Sequence, residues 1–100
     1  MLELSQNPDK LKRVTRMMKA LSNPGRLMVV DILLSEAEPL AVSEVAERAG
    51  LTQSNASQHL KALEDCGVLV SERDGKHIRY RVLNPGIYKL MGCINDCCQI

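Results

Sequence analysis

The stretch Leu51–Val70 limits the possible fold of this chain more than any other. Its first residues are polar, and a helical pattern of apolar residues spaced four and then three apart follows. These apolar residues are Ala56, Leu60 and Leu63. The hydroxyl of Thr52 or Ser54 can accept a hydrogen bond from the first helical turn, and Gly67 can adopt the left-handed conformation that ends a helix. The stretch therefore predicts one amphipathic helix with a capped start and a defined end.

The polar face of this helix presents short amide and hydroxyl side chains near its start. The members of this face are Gln53, Asn55, Ser57, Gln58 and Lys61. Amide and hydroxyl side chains read base edges in the major groove of DNA. An ordinary solvated helix face has the same composition, so the flanking segments decide between the two interpretations.

A second short helix is predicted immediately before this one, over residues 41–50. Ser43 is the candidate N-cap, and Glu44 lies in the first turn, where the helix dipole favours an anion. Gly50 ends this helix, and a tight turn leads into the next one. Two short helices joined in this way form a helix-turn-helix, here over about residues 43–66.

Two segments of alternating polarity follow, over residues 68–73 and 78–83. They flank Asp74-Gly75, a dipeptide typical of β-hairpin turns. Basic residues cluster near the tip, at Arg73, Lys76, His77 and Arg79. A helix-turn-helix followed at once by a basic hairpin is the arrangement of a winged helix, with its wing over about residues 68–83.

Three further helices are predicted in the rest of the chain. The spacing of apolar residues predicts amphipathic helices over residues 8–22 and 86–98. Residues 25–35 are apolar almost all round, as in a helix at the centre of a core. A proline-containing loop is expected over residues 36–40. The predicted order is α-α-α-α-β-β-α, a mainly α fold with a small β-hairpin in a single winged-helix domain over residues 1–100.

The composition limits the core. A chain of 100 residues forms at most one domain, and without Phe or Trp and with only two Tyr its core must be aliphatic. The apolar stripes of the first and last helices are more than so small a monomer covers easily, which predicts a dimer joined by these helices.

The net charge of +1 is unevenly distributed. Residues 1–26 carry six basic and two acidic side chains, residues 27–47 carry five acidic and no basic ones, and residues 48–100 carry seven basic and five acidic ones. A near-neutral total argues against a protein that coats nucleic acid by charge alone, but it allows a small basic surface that grips phosphates.

Three motifs make the chain similar to the ArsR/SmtB family of bacterial winged-helix transcriptional repressors. They are Leu-Ser-Asn-Pro-Gly-Arg at the entry to the second helix, a recognition-helix set of Ser54, Ser57, His59 and Leu60, and the spacing of Gly75 and Tyr80 in the hairpin. The resemblance spans roughly residues 17–90. It implies a homodimer that binds an imperfect palindrome in operator DNA, with the first and last helices at the dimer interface and an inducer that releases the DNA.

The resemblance also implies which residues contact DNA. The base-reading set is Gln53, Ser54, Asn55, Ser57 and Gln58. The phosphate-contacting set is Arg48, Lys61, Arg73, Lys76, His77 and Arg79. Gln and Asn can bond adenine through two hydrogen bonds, whereas phosphate contacts position a protein without reading sequence. Arg81 is as readily explained as a solvated side chain, and His59 as a packing residue hydrogen-bonded between helices.

The cysteines suggest the chemistry of the inducer site. They are Cys66, Cys93, Cys97 and Cys98. Cys93 and Cys97 share one face of the last helix, and Cys98 could join them if the last turn unwinds. Three such thiolates suit arsenite or antimonite, or a soft divalent metal ion. The Cys-x-Cys motif that some family members carry on the third helix is absent, since Ala41 and Ser43 occupy the aligned positions.

Two other interpretations of the thiols stay open. Cys93 could form a disulfide or polysulfide with Cys97 or Cys98, which would make the protein a sensor of redox state or reactive sulfur. Alternatively, the thiols could be small apolar groups at a dimer interface without a sensing role. Cys66, at the end of the recognition helix, is predicted to pack in the core.

An enzyme is not expected, because the sequence has no nucleophile beside a base, no Gly-rich phosphate-binding loop and no cluster of His with carboxylates. No organic cofactor is implied. No apolar run suits a signal peptide or a membrane span, which predicts a cytoplasmic protein with reduced thiols and no membrane partner. The expected function is a DNA-binding repressor released by an inducer at the C-terminal thiols, and a winged-helix module that binds protein instead of DNA is the alternative.

Overall fold

Five α-helices and a three-stranded antiparallel sheet form the structure, a computed structural model that describes residues 3–99. The helices are α1 (Pro8–Leu21), α2 (Pro24–Leu34), α3 (Val42–Ala49), α4 (Gln53–Asp65) and α5 (Pro85–Cys97), and a short 3-10 helix (Leu4–Gln6) precedes α1. The strands are β1 (Leu40–Ala41), β2 (Leu69–Asp74) and β3 (His77–Val82), in the sheet order β1-β3-β2. The predicted fold class is confirmed, with one strand more than expected.

Asn-Pro dipeptides start three of the helices. The side-chain oxygens of Asn7, Asn23 and Asn84 each accept a backbone N–H from the first turn of α1, α2 and α5. A proline follows each of them at the first helical position, where its missing N–H costs no hydrogen bond and its φ suits a helix. Because these signals are local, the three helices begin within one residue of the predicted positions.

The core is aliphatic, as predicted, and lies where α2, α3 and α4 meet the sheet. Its largest fully enclosed side chains are Leu60, Leu63, Leu69, Val29, Val30, Val45 and Val68. Burying a Leu or Val side chain contributes roughly 1.5–3 kcal/mol, so these seven positions supply much of the driving force for folding. The phenol ring of Tyr80, 4% exposed, completes the core from β3.

The helix α2 is less enclosed than its sequence predicted. Its buried residues are Val29, Val30 and Leu33, whereas Met28 is 39% exposed. Apolar side chains on two other helices are also exposed, among them Leu11 and Met18 on α1 and Ile94 on α5. Exposed apolar side chains on helices mark candidate surfaces for helix–helix association.

Within residues 3–99, no helix is long and apolar enough to cross a membrane.

Each strand of the hairpin runs one residue further into the turn than predicted. Asp74 pairs with His77, so the two-residue loop is Gly75-Lys76, inside the predicted gap between residues 73 and 78. Gly75 has a φ of +62°, and a positive φ at the first loop residue is what a type II′ hairpin turn requires. Glycine accepts this conformation without a Cβ clash, so Gly75 suits the first position of this loop.

Residues 36–40 were predicted as a loop, but Leu40 at their end belongs to the strand β1. Leu40 pairs with Tyr80, and Ala41 pairs with Arg79, along the edge of β3 that faces away from β2. A two-residue strand is too short to show alternation in its sequence. Its hydrogen-bonding partners exist only because the folded chain brings the edge of β3 beside it.

The start of α3 also differs from its prediction. The N-cap is Ala41 rather than Ser43, because β1 runs directly into the helix. Ala41 has no side-chain oxygen, and instead Glu44 Oε1 accepts the Ala41 backbone N–H at 3.0 Å, which is one half of a capping box. The helix ends at Gly50, as predicted, with a left-handed φ of +68°.

Candidate nucleic-acid interface

The helix α4 is held along one side and at both ends. Its buried residues are Ala56, Leu60 and Leu63, none of which has exposed surface. Thr52 Oγ1 accepts the N–H of Asn55 at 3.0 Å, which makes Thr52 the N-cap. At the other end Gly67 has a φ of +79°, and the N–H of Val68 bonds the carbonyl of Leu63 at 3.0 Å, as in a Schellman motif. The orientation of this helix is therefore set by the chain itself.

The opposite side of α4 presents the predicted base-reading set to solvent. Of its members Gln53, Ser54, Asn55 and Gln58 are exposed and Ser57 is half-buried. All five lie in the first two turns of α4, and Ala56 between them is buried in the core. The structure thus places these amide and hydroxyl groups together at the start of α4, and their contact with bases stays a prediction.

The helices α3 and α4 form the predicted helix-turn-helix. They pack directly against each other, and Val45 and Ala46 of α3 are buried. After Gly50 the chain turns back, and the N–H of Leu51 bonds the carbonyl of Ala46 at 2.9 Å. This closed turn fixes the angle at which α4 leaves α3.

His59 packs against the start of α2, as predicted, but within residues 3–99 its ring forms no hydrogen bond, so the bond between helices that was also expected is not seen. A Cβ built on Gly25 would lie 2.7 Å from His59 Nε2, a contact that real Cβ atoms do not make. Glycine at this position therefore allows α2 to approach the recognition helix closely.

The wing carries two kinds of basic side chain. Arg79 Nη1 donates to Asp74 Oδ2 at 2.5 Å, and Arg81 Nε donates to Glu72 Oε1 at 2.5 Å. Other wing residues form no ion pair with any of residues 3–99, namely Arg73, Lys76 and His77. These three exposed residues lie at or next to the hairpin tip, where DNA phosphates can reach them.

Arg48, another predicted phosphate contact, also has a carboxylate partner. Its guanidinium forms an ion pair with Glu36, which lies in the segment between α2 and β1. Sequence reasoning missed this partner because the two residues are twelve apart and belong to different elements, so no local spacing rule connects them. Lys61 is exposed on α4 and pairs with no acid in residues 3–99.

A polar contact joins α4 to the wing. Ser71 Oγ donates to Glu64 Oε2 at 2.5 Å, and Ser71 is the cross-strand partner of Tyr80. Burial, and then the negative charge of Glu64, raise the pKa of the Tyr80 phenol above its usual value. The Ser71–Glu64 hydrogen bond links the position of the wing to that of α4.

The cysteines fall into two groups. Cys66 is half-buried and packs against the core, as predicted, whereas Cys93, Cys97 and Cys98 are exposed. The helix α5 stays wound through Cys97, with Cys98 as its C-cap. Among residues 3–99, no three His, Cys, Asp or Glu side chains are arranged to hold a metal ion. A site that uses all three terminal thiols would need the last turn to rearrange.

Comparison with known proteins identifies the family to which this chain belongs. Residues 21–72 match a family described as a helix-turn-helix domain. The chain is 34% identical over 79 residues to nodulation protein NolR of Rhizobium meliloti, covering 79% of the chain and 63% of that protein. It is 38% identical over 76 residues to a probable mercury resistance operon repressor of Streptomyces lividans, covering 76% of the chain and 59% of that protein. The chain thus spans less than two thirds of the length of either relative.

A solved structure gives the same result for the fold. It is the homodimeric winged helix-turn-helix DNA-binding domain of Mb0332 from Mycobacterium bovis, described as a possible ArsR-family transcriptional regulator. The TM-score is 0.82 at 29% identity, over 90% of this chain and 82% of that one. This agreement confirms the winged helix-turn-helix class.

Proposed function

Because the chain belongs to the helix-turn-helix family, as a winged-helix regulator of the ArsR/SmtB type, we propose that it is a DNA-binding transcriptional repressor acting as a homodimer. The family is one of DNA-binding regulators and not of enzymes. A repressor of this kind works in the bacterial cytoplasm, where thiols stay reduced.

The observation that supports DNA binding best is the build of α4. One side is fully buried, both ends are capped, and the exposed side near its start carries only amide and hydroxyl groups apt for base edges. Arg73, Lys76 and His77 of the neighbouring wing form no ion pair within residues 3–99, so they are free to contact the DNA backbone. A rigid base-reading helix beside an open cationic tip is what a winged-helix DNA reader needs.

Binding to duplexes from the promoter region of its own gene tests this proposal. Fluorescence anisotropy at about 0.15 M salt should give an affinity for the operator roughly a thousandfold or more above that for a scrambled duplex of equal length. Equal affinities for the two duplexes would contradict sequence-specific repression.

Dimerisation is proposed from the exposed apolar side chains of α1 and α5. Leu11 and Met18 lie seven residues apart on one face of α1, and they are 45% and 51% exposed. The Mycobacterium bovis domain of the same fold is a homodimer. Sedimentation of the protein should give twice the chain mass, and Met18→Lys should shift it towards the monomer, because a charge in an apolar interface is left unpaired. A monomer at micromolar concentration would contradict the proposal.

The inducer is proposed to be arsenite, antimonite or a soft divalent metal ion, bound by Cys93 and Cys97 with Cys98 recruited from the last turn. The supporting observations are three exposed thiols within six residues and a relative named as a probable mercury resistance operon repressor. Thiolates prefer soft ions of this kind. Titration of the reduced protein should produce a thiolate charge-transfer absorption and release bound operator, and Cys93→Ser should remove both effects.

A redox or reactive-sulfur sensor is the second candidate, because exposed thiols on one helix terminus are also accessible to oxidants. Release of operator by oxidant or polysulfide, reversed by a thiol reductant, with no response to arsenite, would favour it. If neither treatment releases the DNA, the thiols are structural and the protein has no inducer at this helix.

A further inference from the structure

A groove beside the proposed DNA-binding surface contains more acid than base. It runs between the segment after α2, the helix α3 and the wing. Its charged lining residues are Glu36, Glu38, Glu44, Glu72, Asp74, Arg48, Arg73 and Arg79, five carboxylates against three guanidinium groups. An excess of carboxylates beside a surface that is proposed to contact polyanionic DNA opposes that contact.

The carboxylates are placed to pair with the arginines. Arg79 lies directly across from Glu72 in the strand register, yet its guanidinium bonds Asp74, two pairs nearer the tip, at 2.5 Å. Glu72 in turn is bonded by Arg81 at 2.5 Å. Arg48 reaches out of α3 to Glu36. Each of Arg48, Arg79 and Arg81 therefore pairs with a carboxylate from another strand or segment.

These ion pairs can be exchanged. The side chains of Arg48 and Glu36 are 41% and 39% exposed, and those of Arg79 and Asp74 are 36% and 74% exposed. Exposed pairs are weak, so a DNA phosphate can displace the carboxylate. Each exchange nevertheless opens an ion pair and leaves a carboxylate beside the DNA, which reduces the gain from that phosphate contact.

We propose that Glu36 and Asp74 hold Arg48 and Arg79 in competing ion pairs, and that these pairs lower the affinity of the protein for DNA of any sequence. Non-specific binding depends almost wholly on phosphate contacts, whereas operator binding adds base contacts from α4. The pairs therefore weaken binding to every duplex by a similar factor, and only operator DNA, with its added base contacts, keeps enough affinity to hold the protein at physiological salt. The inference rests on the proposed DNA-binding function and assigns the two carboxylates as residues that set the DNA affinity.

The test compares Glu36→Gln and Asp74→Asn with Glu38→Gln in the full chain. Glu38 lines the same groove but forms no ion pair among residues 3–99, so its variant removes the same charge without freeing an arginine. Affinity for a scrambled duplex is measured by anisotropy over a series of salt concentrations. A freed arginine contacts a phosphate without competition from its carboxylate, so the slope of log K against log salt should steepen by up to about 0.9, with roughly three- to tenfold tighter non-specific binding. Glu38→Gln should leave the slope unchanged.

The double variant Glu36→Gln/Arg48→Gln separates a freed arginine from a simple change of charge. It should return the slope to that of the unmodified protein. If Glu36→Gln and Glu38→Gln behave alike, or if the double variant keeps the steeper slope, the competing pairs do not exist in solution and the inference is wrong, while operator binding by the unmodified protein would leave the proposed function intact. Failure of the unmodified protein to bind any duplex would overturn both. Melting curves of all variants check that the fold is retained.

Discussion

The helices α4 and α5 are both thirteen residues long, yet this chain holds them very differently. The helix α4 buries Ala56, Leu60 and Leu63 completely, and a threonine cap and a left-handed glycine define its ends. The helix α5 buries only Ile87, and its thiols project into solvent. A single chain thus fixes the position of the surface that is proposed to read DNA, without contacts from a second chain.

The difference suits the proposed division of inducer sensing and DNA reading between the two helices. A base-reading surface must be rigid before it meets DNA, because misplaced amides cannot form paired hydrogen bonds. A loosely held helix end, in contrast, can be reorganised by an ion or by a second chain at little cost. The proposed inducer site therefore lies on the helix that a single chain leaves least constrained.

The largest expected effect comes from Leu60→Ala in α4. Removing a fully buried leucine side chain should lower the free energy of unfolding by about 2–5 kcal/mol, measured by urea denaturation. The matched change Leu90→Ala in α5 removes a half-buried side chain and should cost clearly less. Equal losses for the two variants would break the comparison between the helices.

The next effect is on recognition. Gln53→Ala should weaken operator binding by about 1–3 kcal/mol, because one two-point contact to a base is lost, and should leave binding to a scrambled duplex unchanged. Anisotropy with both duplexes measures this, and Gln6→Ala, at an exposed glutamine outside the interface, serves as the control. A parallel loss on both duplexes would remove Gln53 from the base-reading set.

A smaller effect is expected at the start of the recognition helix. Thr52→Ala removes the oxygen that accepts the Asn55 N–H and should cost about 1 kcal/mol of stability. Thr52→Ser keeps that oxygen and should restore most of the loss. If both variants melt like the unmodified protein, the cap does not stabilise α4, and its difference from α5 rests on burial alone.

The smallest effect is expected at the exposed thiols. Without inducer, Cys97→Ser should change the free energy of unfolding by less than about 0.5 kcal/mol, because the side chain is exposed. Cys66→Ser, at a half-buried position packed on the core, should cost more. Thermal melts of the reduced proteins compare the two. A large loss for Cys97→Ser would mean that this thiol is structural, most simply at a dimer interface.

Much of the fold followed from local signals. Asn-Pro starts, the spacing of Ala56, Leu60 and Leu63, and glycines after α3 and α4 depend only on neighbouring residues, so the order of elements was predictable. The hairpin loop shows the limit of this reasoning. The Asp74-Gly75 dipeptide located the turn, but pairing along the whole of β2 and β3 decides that the two-residue loop is Gly75-Lys76.

The amino-acid sequence by itself determined the winged-helix order, the polar side of α4 and the cluster of thiols near the end of the chain. These features arise from periodicity, capping and composition, which act over a few residues. Only the tertiary structure decided that Leu40 joins a strand, that Glu36 meets Arg48, and that the three terminal cysteines stay exposed. Such contacts join segments far apart in the chain, and they form only once the core has brought those segments together.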